Sequence, residues 1–558
     1  MNLPLPVRRN RLAAARRVLS FGISDALRTN NQPTVSTSFP PSFSLRPLTP
    51  LFLGLVLISS ACRPAPRAAA PSVPEGSAAA PLHWPTTPPP PLLGENPELW
   101  VSLAAHLPQQ RGGMAEPLVL QAAAGSLSLT SEDGQRFDAS LLQLRWQQRQ
   151  LNPPLTIERE VLGPFPSHES AEQQAQVWRQ RGADAVVAHP DDWEVWASAG
   201  SPPATGSARL VRQTFDRRWQ PFIERGDQLI ALQGPLLIEA HDGLLWRGAS
   251  YQGRFRLLGD AYGSWTLVQE VPIEAYLNGV VPHEMGAGSP TEALKAQAIL
   301  ARTWAVANQG RFYIDGYHLC SDTQCQVYSD PSLAGSRLRQ ALRSTAGQVL
   351  TWNGKAVHGV YSASNGGISA GLEEVWQAAA QPYLKPSIDG DAAAQTALAL
   401  PIRDDAQVRA VLQRQGLYGE AHPRYRWSRT YSAQRLSALA KAAGQEIGVV
   451  QQVVVEGRGP SGRVLNLKLV GTTGSWTLVR DQIRRRLRGL PSTLFVVEPQ
   501  GPALWIFDGG GFGHGSGLSQ AGAIDLAGRG WSSEQILSHY FPGAQLESLK
   551  TLPPEGSP

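Results

Sequence analysis

Glu284 is the acid whose surroundings point most directly to chemistry. It stands in Pro282-His283-Glu284-Met285-Gly286, a turn-rich patch between an amphipathic segment and a long helix. A carboxyl group held by a rigid turn against apolar neighbours keeps its proton to higher pH and can serve as a general acid. A solvated loop glutamate is the plain alternative. Glu274 and Glu292 are the rival acids. Glu292 is placed to close a capping box, with Ser289 as N-cap and Pro290 at the first helical position. Glu274 lies in the amphipathic segment, so both rank below Glu284.

Three further clusters carry chemistry. Cys320 and Cys325 are spaced within metal-ligand range, and His318 precedes them by two residues. A local disulfide explains the same spacing equally well if the protein is exported. Tyr361, Ser362, Ser364 and Asn365 precede Gly366-Gly367. Hydroxyls and an amide at such a turn suit hydrogen bonding to a sugar, or simply turn formation. The loop 509–520, GGGFGHGSGLSQ, lacks the Lys-Ser/Thr ending of a phosphate loop. Its glycines allow a ligand close to the backbone, with His514, Ser519 and Gln520 placed to bind it or to orient Glu284. Ser516 sits in HGSGL, not G-x-S-x-G, which argues against a Ser-His-Asp hydrolase.

The elements that must position these groups are mixed. Between 209 and 271 short apolar runs alternate with turn residues, which predicts antiparallel hairpins. The helix after Ser289 interleaves Ala296, Ala298, Ala301 and Ala305 with Leu294, Ile299, Leu300 and Trp304, as in a helix packed on several sides. Asn353-Gly354 predicts a further hairpin, and residues 450–480 read as β. Residues 400–445 read as helical. The fold class expected is α+β: mainly antiparallel β segments with packed helices, preceded by a disordered N-terminal region.

The chain has 558 residues, too many for one ordinary domain; roughly two to four units are expected. Residues 1–62 read as an export segment, with an Arg-containing, unstructured start, an apolar run at 51–58, and Ser59-Ser60-Ala61-Cys62. Small residues before a cysteine resemble a bacterial lipobox, although Ser59 replaces its usual Leu; Cys62 is then the lipidation site, with simple cleavage the alternative. Residues 63–97, rich in Ala and Pro, read as a tether. A β-rich region follows at 98–227. Within it, 154–198 runs strand, Gly-Pro-Phe turn, helix, Gly, strand, and resembles a SPOR-type peptidoglycan-binding module or a generic βαβ piece. The main domain is expected at 228–548, and a polar tail at 549–558. A net charge of +5 without a Lys/Arg block excludes a nucleic-acid binder; the short run Arg484-Arg485-Arg486 reads as a solvated helix face.

Three blocks together, VVPHEM…SPTEALKAQAILARTW, CSDTQCQVY with YSASNGG, and GGGFGHGSGLSQAGA, resemble the SpoIID/LytB family over about residues 230–545. The resemblance implies a lytic transglycosylase that cuts the β-1,4 bond between N-acetylmuramic acid and N-acetylglucosamine in denuded glycan strands, leaving 1,6-anhydro ends. The family's catalytic glutamate falls on Glu284. Zinc is implied at His318, Cys320 and Cys325, as a structural brace, with His283, His358, His514 or water as fourth ligand. The alternatives are a non-catalytic wall-binding protein that stimulates a cell-wall amidase, and an outer-layer structural lipoprotein. Either way the partner is peptidoglycan, and the place is the periplasm or cell envelope, lipid-anchored if Cys62 is modified.

Overall fold

The computed structural model describes residues 80–553. The expected export segment and Cys62 lie outside the described residues. Those described form a mixed α/β fold whose sheets are mostly antiparallel, as the apolar alternation predicts.

The largest sheet follows the order 228–231, 209–225, 141–165, 118–122, 236–246, 249–259, 265–272, 98–107 and 319–320. Alternation builds it: Leu118, Leu120 and Ala122 turn inward while Val119 and Gln121 face out. Every neighbouring pair is antiparallel except the last, where Leu319–Cys320 runs parallel to Glu98–Leu107. The boundary expected at 227/228 does not exist. Gly226 and Asp227 close a hairpin between Arg209–Arg225 and Gln228–Ala231, and the sheet continues through it. A turn signal alone does not distinguish a hairpin from a linker.

The 154–198 segment is likewise not a separate module. Its first strand is the end of Leu141–Phe165, followed by helix α1 (His168–Arg179) and strands Val186–Ala188 and Trp193–Ser198, paired antiparallel with the main sheet. Its small core of Ala171, Ala175, Trp178 and Val195 is completed by Phe312 and Tyr317 from far along the chain.

Part of the expected tether is also bound. From Pro81 onward the extended segment offers carbonyls to the folded body: Pro81 O to Glu158 N, Leu82 O to Arg159, and Pro97 O to Ile273 N at 2.9 Å. Proline has no N–H to satisfy, so a Pro-rich strap can serve as an acceptor-only edge. The tail is corrected in the same way, since Leu549–Thr551 forms a 3-10 turn with Leu549 buried.

Two helices follow the main sheet. Helix α2 (Ile273–Glu284) buries Ile273, Tyr276, Leu277, Val280 and Val281, one face of a 3.6-residue repeat. Helix α3 (Thr291–Ala307) is buried nearly all round, as its small-and-large mixture predicts. Beyond them, strands 426–432, 495–499 and 504–510 form one small sheet, and 450–458, 464–471 and 475–479 another. Their own core includes Tyr431, Leu436, Leu467, Phe495 and Phe507. The 400–445 stretch is helical only in part, because Arg426–Ser432 is a strand.

Candidate active site

Glu284 is not in a loop: it is the last residue of α2, and Pro282 lies within the helix. Proline there removes one late hydrogen bond, and just past the helix end Gly286 takes the left-handed region with φ +81°. Gly279 sets the geometry next to it. A Cβ at that position would lie 2.6 Å from Ser329 O. Without one, the 327–329 segment lies directly on α2, with Ser329 N bonded to Gly279 O at 3.0 Å. Val327 N is thereby aimed at Glu284 Oε1, 3.0 Å away.

Burial is the main cause that pushes the Glu284 carboxyl above the usual range. The Val327 N–H and the side chains of Gln520 and Tyr361 oppose it by favouring the anion. Tyr361 donates its own proton to Gln326 Oε1 at 2.7 Å. Gln520 reaches the carboxyl from the start of the helix Gln520–Gly528 and also donates to Gln297 Oε1 at 3.3 Å. The carboxyl can thus hold a proton yet meets donors once it loses it. This poise suits a group that must act as acid and then base.

The rival acids have structural duties. Glu274 takes two hydrogen bonds of 2.7 Å from Arg302, whose guanidinium is fully buried, and one from Gly347 N. Glu292 does not close a capping box on its own helix, where Pro290 occupies the N-cap position. It accepts from Lys295 Nζ at 2.8 Å and from Ser533 N at 2.9 Å, the first residue of another helix. Ser289 Oγ instead donates back to Met285 O.

The Tyr361 block and the glycine loop do meet. Tyr361–Ser362 pairs in parallel with Leu518–Ser519. Most of the polar groups expected to face a sugar are, however, spent inside this joint. Ser362 Oγ accepts from Gly515 N, and Ser364 Oγ from Gly366 N. Asn365 forms a turn through Gly367 N and donates to Asp389 at 2.7 Å. Ser519 caps the helix it precedes through Gly522 N. All four are buried, so turn and cap chemistry explains them. Tyr361, His514 and Gln520 remain beside Glu284. His514 binds Tyr361 O through Nε2 at 2.7 Å and accepts from Ser516 N on Nδ1; burial lowers its pKa to about 4, so it is a neutral ring that fixes Tyr361.

The expected zinc brace does not fit the residues present. Cys320 and Cys325 are joined as a disulfide. His318 accepts from Trp100 N on Nδ1 and meets Pro90 O through Nε2, both at 2.9 Å, leaving no lone pair for a metal. Among the described residues no group of three or more His, Cys, Asp or Glu side chains is arranged to hold a metal ion. The disulfide nonetheless flanks the site, because Cys325 directly precedes Gln326 and Val327.

Glu284 opens into a cleft of about 230 Å³. Several of its walls were not expected from the sequence. Trp304 and Trp376 contribute apolar faces. Glu169 on α1 pairs with Arg311 at 3.1 Å, which holds its pKa at about 2 despite burial. Asp481 is clasped by Arg484 and Arg485, each at 2.9 Å, and stays ionised well below the usual carboxylate range. The run 484–486 is therefore not simply a solvated face. Apart from Glu284, both acids of this cleft are tied to arginine.

A mixed α/β protein emerges from these observations, its cleft holding one acid outside any ion pair whose carboxyl burial pushes upward, and the comparisons with known proteins define it further. Residues 261–352 match the family model described as stage II sporulation protein, and residues 370–517 match a domain of unknown function (DUF8618). Stage II sporulation protein D of Bacillus amyloliquefaciens is 30% identical over 297 residues, covering 50% of this chain and 75% of that protein. The amidase enhancer of Bacillus subtilis (strain 168) is 29% identical over 305 residues, 49% of this chain but only 40% of that protein. The chain belongs to the family of stage II sporulation protein D and the amidase enhancer. The first matched segment supplies Glu284, Trp304, Arg311 and Val327, and the second supplies Trp376, Asp481, Arg484 and His514. Ser167 and Glu169 on the cleft wall come from neither.

Proposed function

We propose that this chain is an exported lytic transglycosylase acting on peptidoglycan glycan strands, with Glu284 as its one acid and base. The observation that carries this reading is the pairing pattern of the cleft. Glu169 and Asp481 are locked to arginine, while Glu284 alone is free to hold and release a proton. Ordinary glycoside hydrolysis requires two carboxyl groups, one for each side of the sugar. Intramolecular transfer requires one. Glu284 gives its proton to the glycosidic oxygen as that bond to C1 breaks. The resulting carboxylate, held by Val327 N–H and Gln520, takes the proton of the C6 hydroxyl as its oxygen closes on C1. The acid is regenerated and the strand ends in 1,6-anhydro-muramic acid.

The runner-up is a wall-binding protein that stimulates a cell-wall amidase, favoured by the similarity to the amidase enhancer. Purified protein incubated with denuded strands separates the two. Anhydro-muramic ends seen by mass spectrometry, and lost in Glu284→Gln, support the enzyme. Absence of such ends with wild-type protein, alongside stimulation of an added amidase, supports the runner-up.

A further inference from the structure

A second hollow of about 480 Å³ adjoins the Glu284 cleft, and Glu169 and Arg311 line both. Its other sides come from helix α1, the turn after α3, residues 378–381 and the bound strap at Pro89, Pro90 and Pro91. Helix α1 and the strap lie outside both family-matched segments, so the family match does not account for this hollow. Its charges cancel. Glu169 pairs with Arg311 at 3.1 Å, and Glu172 with Arg179 at 2.8 Å. Burial holds His168 and His358 below the ordinary imidazole range, so both rings are neutral near pH 7. A neutral ring offers one donor and one acceptor. Neither ring makes a hydrogen bond among the described residues: His168 meets Trp193 edge-on, and His358 is bonded only through its backbone N–H, to the Tyr383 hydroxyl.

Two carboxamides on the lining are oriented by Ala379. Its N–H needs an acceptor, so Gln173 turns Oε1 to it at 3.1 Å; its carbonyl needs a donor, so Gln381 turns Nε2 to it at 3.4 Å. That leaves Gln173 Nε2 and Gln381 Oε1 without a partner among the described residues, one donor and one acceptor. Leu372 and Ala378 supply an apolar patch on the same lining. An uncharged ligand that both donates and accepts matches these groups. An acetamido group does so, with its carbonyl to the Gln173 amide, its N–H to the Gln381 carbonyl and its methyl on the apolar patch. Sugar hydroxyls then suit the two imidazoles. An extended peptide fits less well, because no strand edge lines the hollow to pair with its backbone. We propose that this hollow is a second saccharide site, for an uncharged N-acetylated hexosamine, separate from the cleft that holds Glu284. A sugar bound there is held without being cut, since Glu169 and Glu172 are both spent on arginine. The proposal goes beyond the glycan-cleaving reading and does not depend on it.

The test is binding of N,N′-diacetylchitobiose, which carries two acetamido groups and no charge, to full-length Glu284→Gln protein by calorimetry. The disaccharide should bind, and cellobiose, with hydroxyls in place of the acetamido groups, should bind at least tenfold more weakly. Gln173→Leu and His358→Phe should each weaken the disaccharide about tenfold, the worth of one neutral hydrogen bond. His358→Asn, which keeps a donor and an acceptor, should retain part of the affinity. Gln174→Leu, on α1 but outside the hollow, and Tyr361→Phe, in the cleft, should leave it unchanged. No binding, equal binding of cellobiose, or binding weakened by Tyr361→Phe but not by Gln173→Leu overturns the proposal, as does binding of a free stem peptide in place of the disaccharide. Because the protein used lacks the candidate acid, the result stands whether or not Glu284 cuts strands.

Discussion

Replacing Glu284 by glutamine removes a proton while keeping the shape. The Gln carbonyl still accepts from Val327 N, whose partner is now 3.0 Å away on Glu284 Oε1. General acid–base catalysis is worth about 10²–10⁴-fold in rate. The loss should fall in the upper part of that range, because the other cleft acids are held ionised by Arg311, Arg484 and Arg485 and cannot deliver a proton. We expect kcat to fall about 10³-fold or more, equivalent to about 4 kcal/mol in the barrier, with KM little changed. Stability should move the other way. Burial raises the Glu284 pKa in the folded state, so the folded protein binds more protons than the unfolded chain and loses stability as pH rises from the ordinary carboxylate range through the raised value. The glutamine variant lacks this loss and should melt at an equal or higher temperature near neutral pH, while matching wild type only in acid. Wild-type kcat should fall as pH rises past the raised value, since the acid form is consumed. The assay is release of anhydro-muramic products from denuded strands, paired with calorimetric melting at several pH values. Retention of more than a tenth of wild-type activity, or a melting temperature lowered in step with activity, would refute the assignment.

Three other perturbations separate support from chemistry. Gly279→Ala puts a methyl group 2.6 Å from Ser329 O, closer than the two can pack, and should cost about 1–3 kcal/mol in denaturant unfolding; it should also slow cleavage by displacing the Val327 amide, and unchanged kinetics would disprove that link. Glu274→Ala strips the fully buried Arg302 of its only acidic partner among the described residues and should cost about 3–5 kcal/mol by urea titration, with no selective change in kcat for the folded protein. Peptide mapping after alkylation should find Cys320 and Cys325 protected until reductant is added, and the double Ser variant should lose about 2 kcal/mol, the value expected for so short a closed loop; alkylation without reductant would show free thiols instead.

Glu284 was singled out by the three family blocks together and not by its local setting, which read as a turn and is the end of a helix. The hairpins of the main sheet and the Asn353-Gly354 turn were legible because alternation and turn residues act over a few positions. What the sequence hid was long-range. Glu169 and Arg311 pair across 142 residues, and Arg485 reaches Pro166 across 319. Ion pairs have no period, so neither wall of the cleft left a pattern to read. The opposite error has a related cause. Ser364, Asn365 and Ser519 were chosen for groups that bind sugars well, but those groups also close turns and cap helices well, and composition cannot say which side of the backbone they face. Arg484 and Arg485 show the converse, because a charged run read as solvent-facing acquires a different meaning once Asp481 holds two of its guanidinium groups on the cleft wall. The family blocks pointed to Glu284, but only the packing of distant segments shows which neighbouring charges of this cleft are already paired.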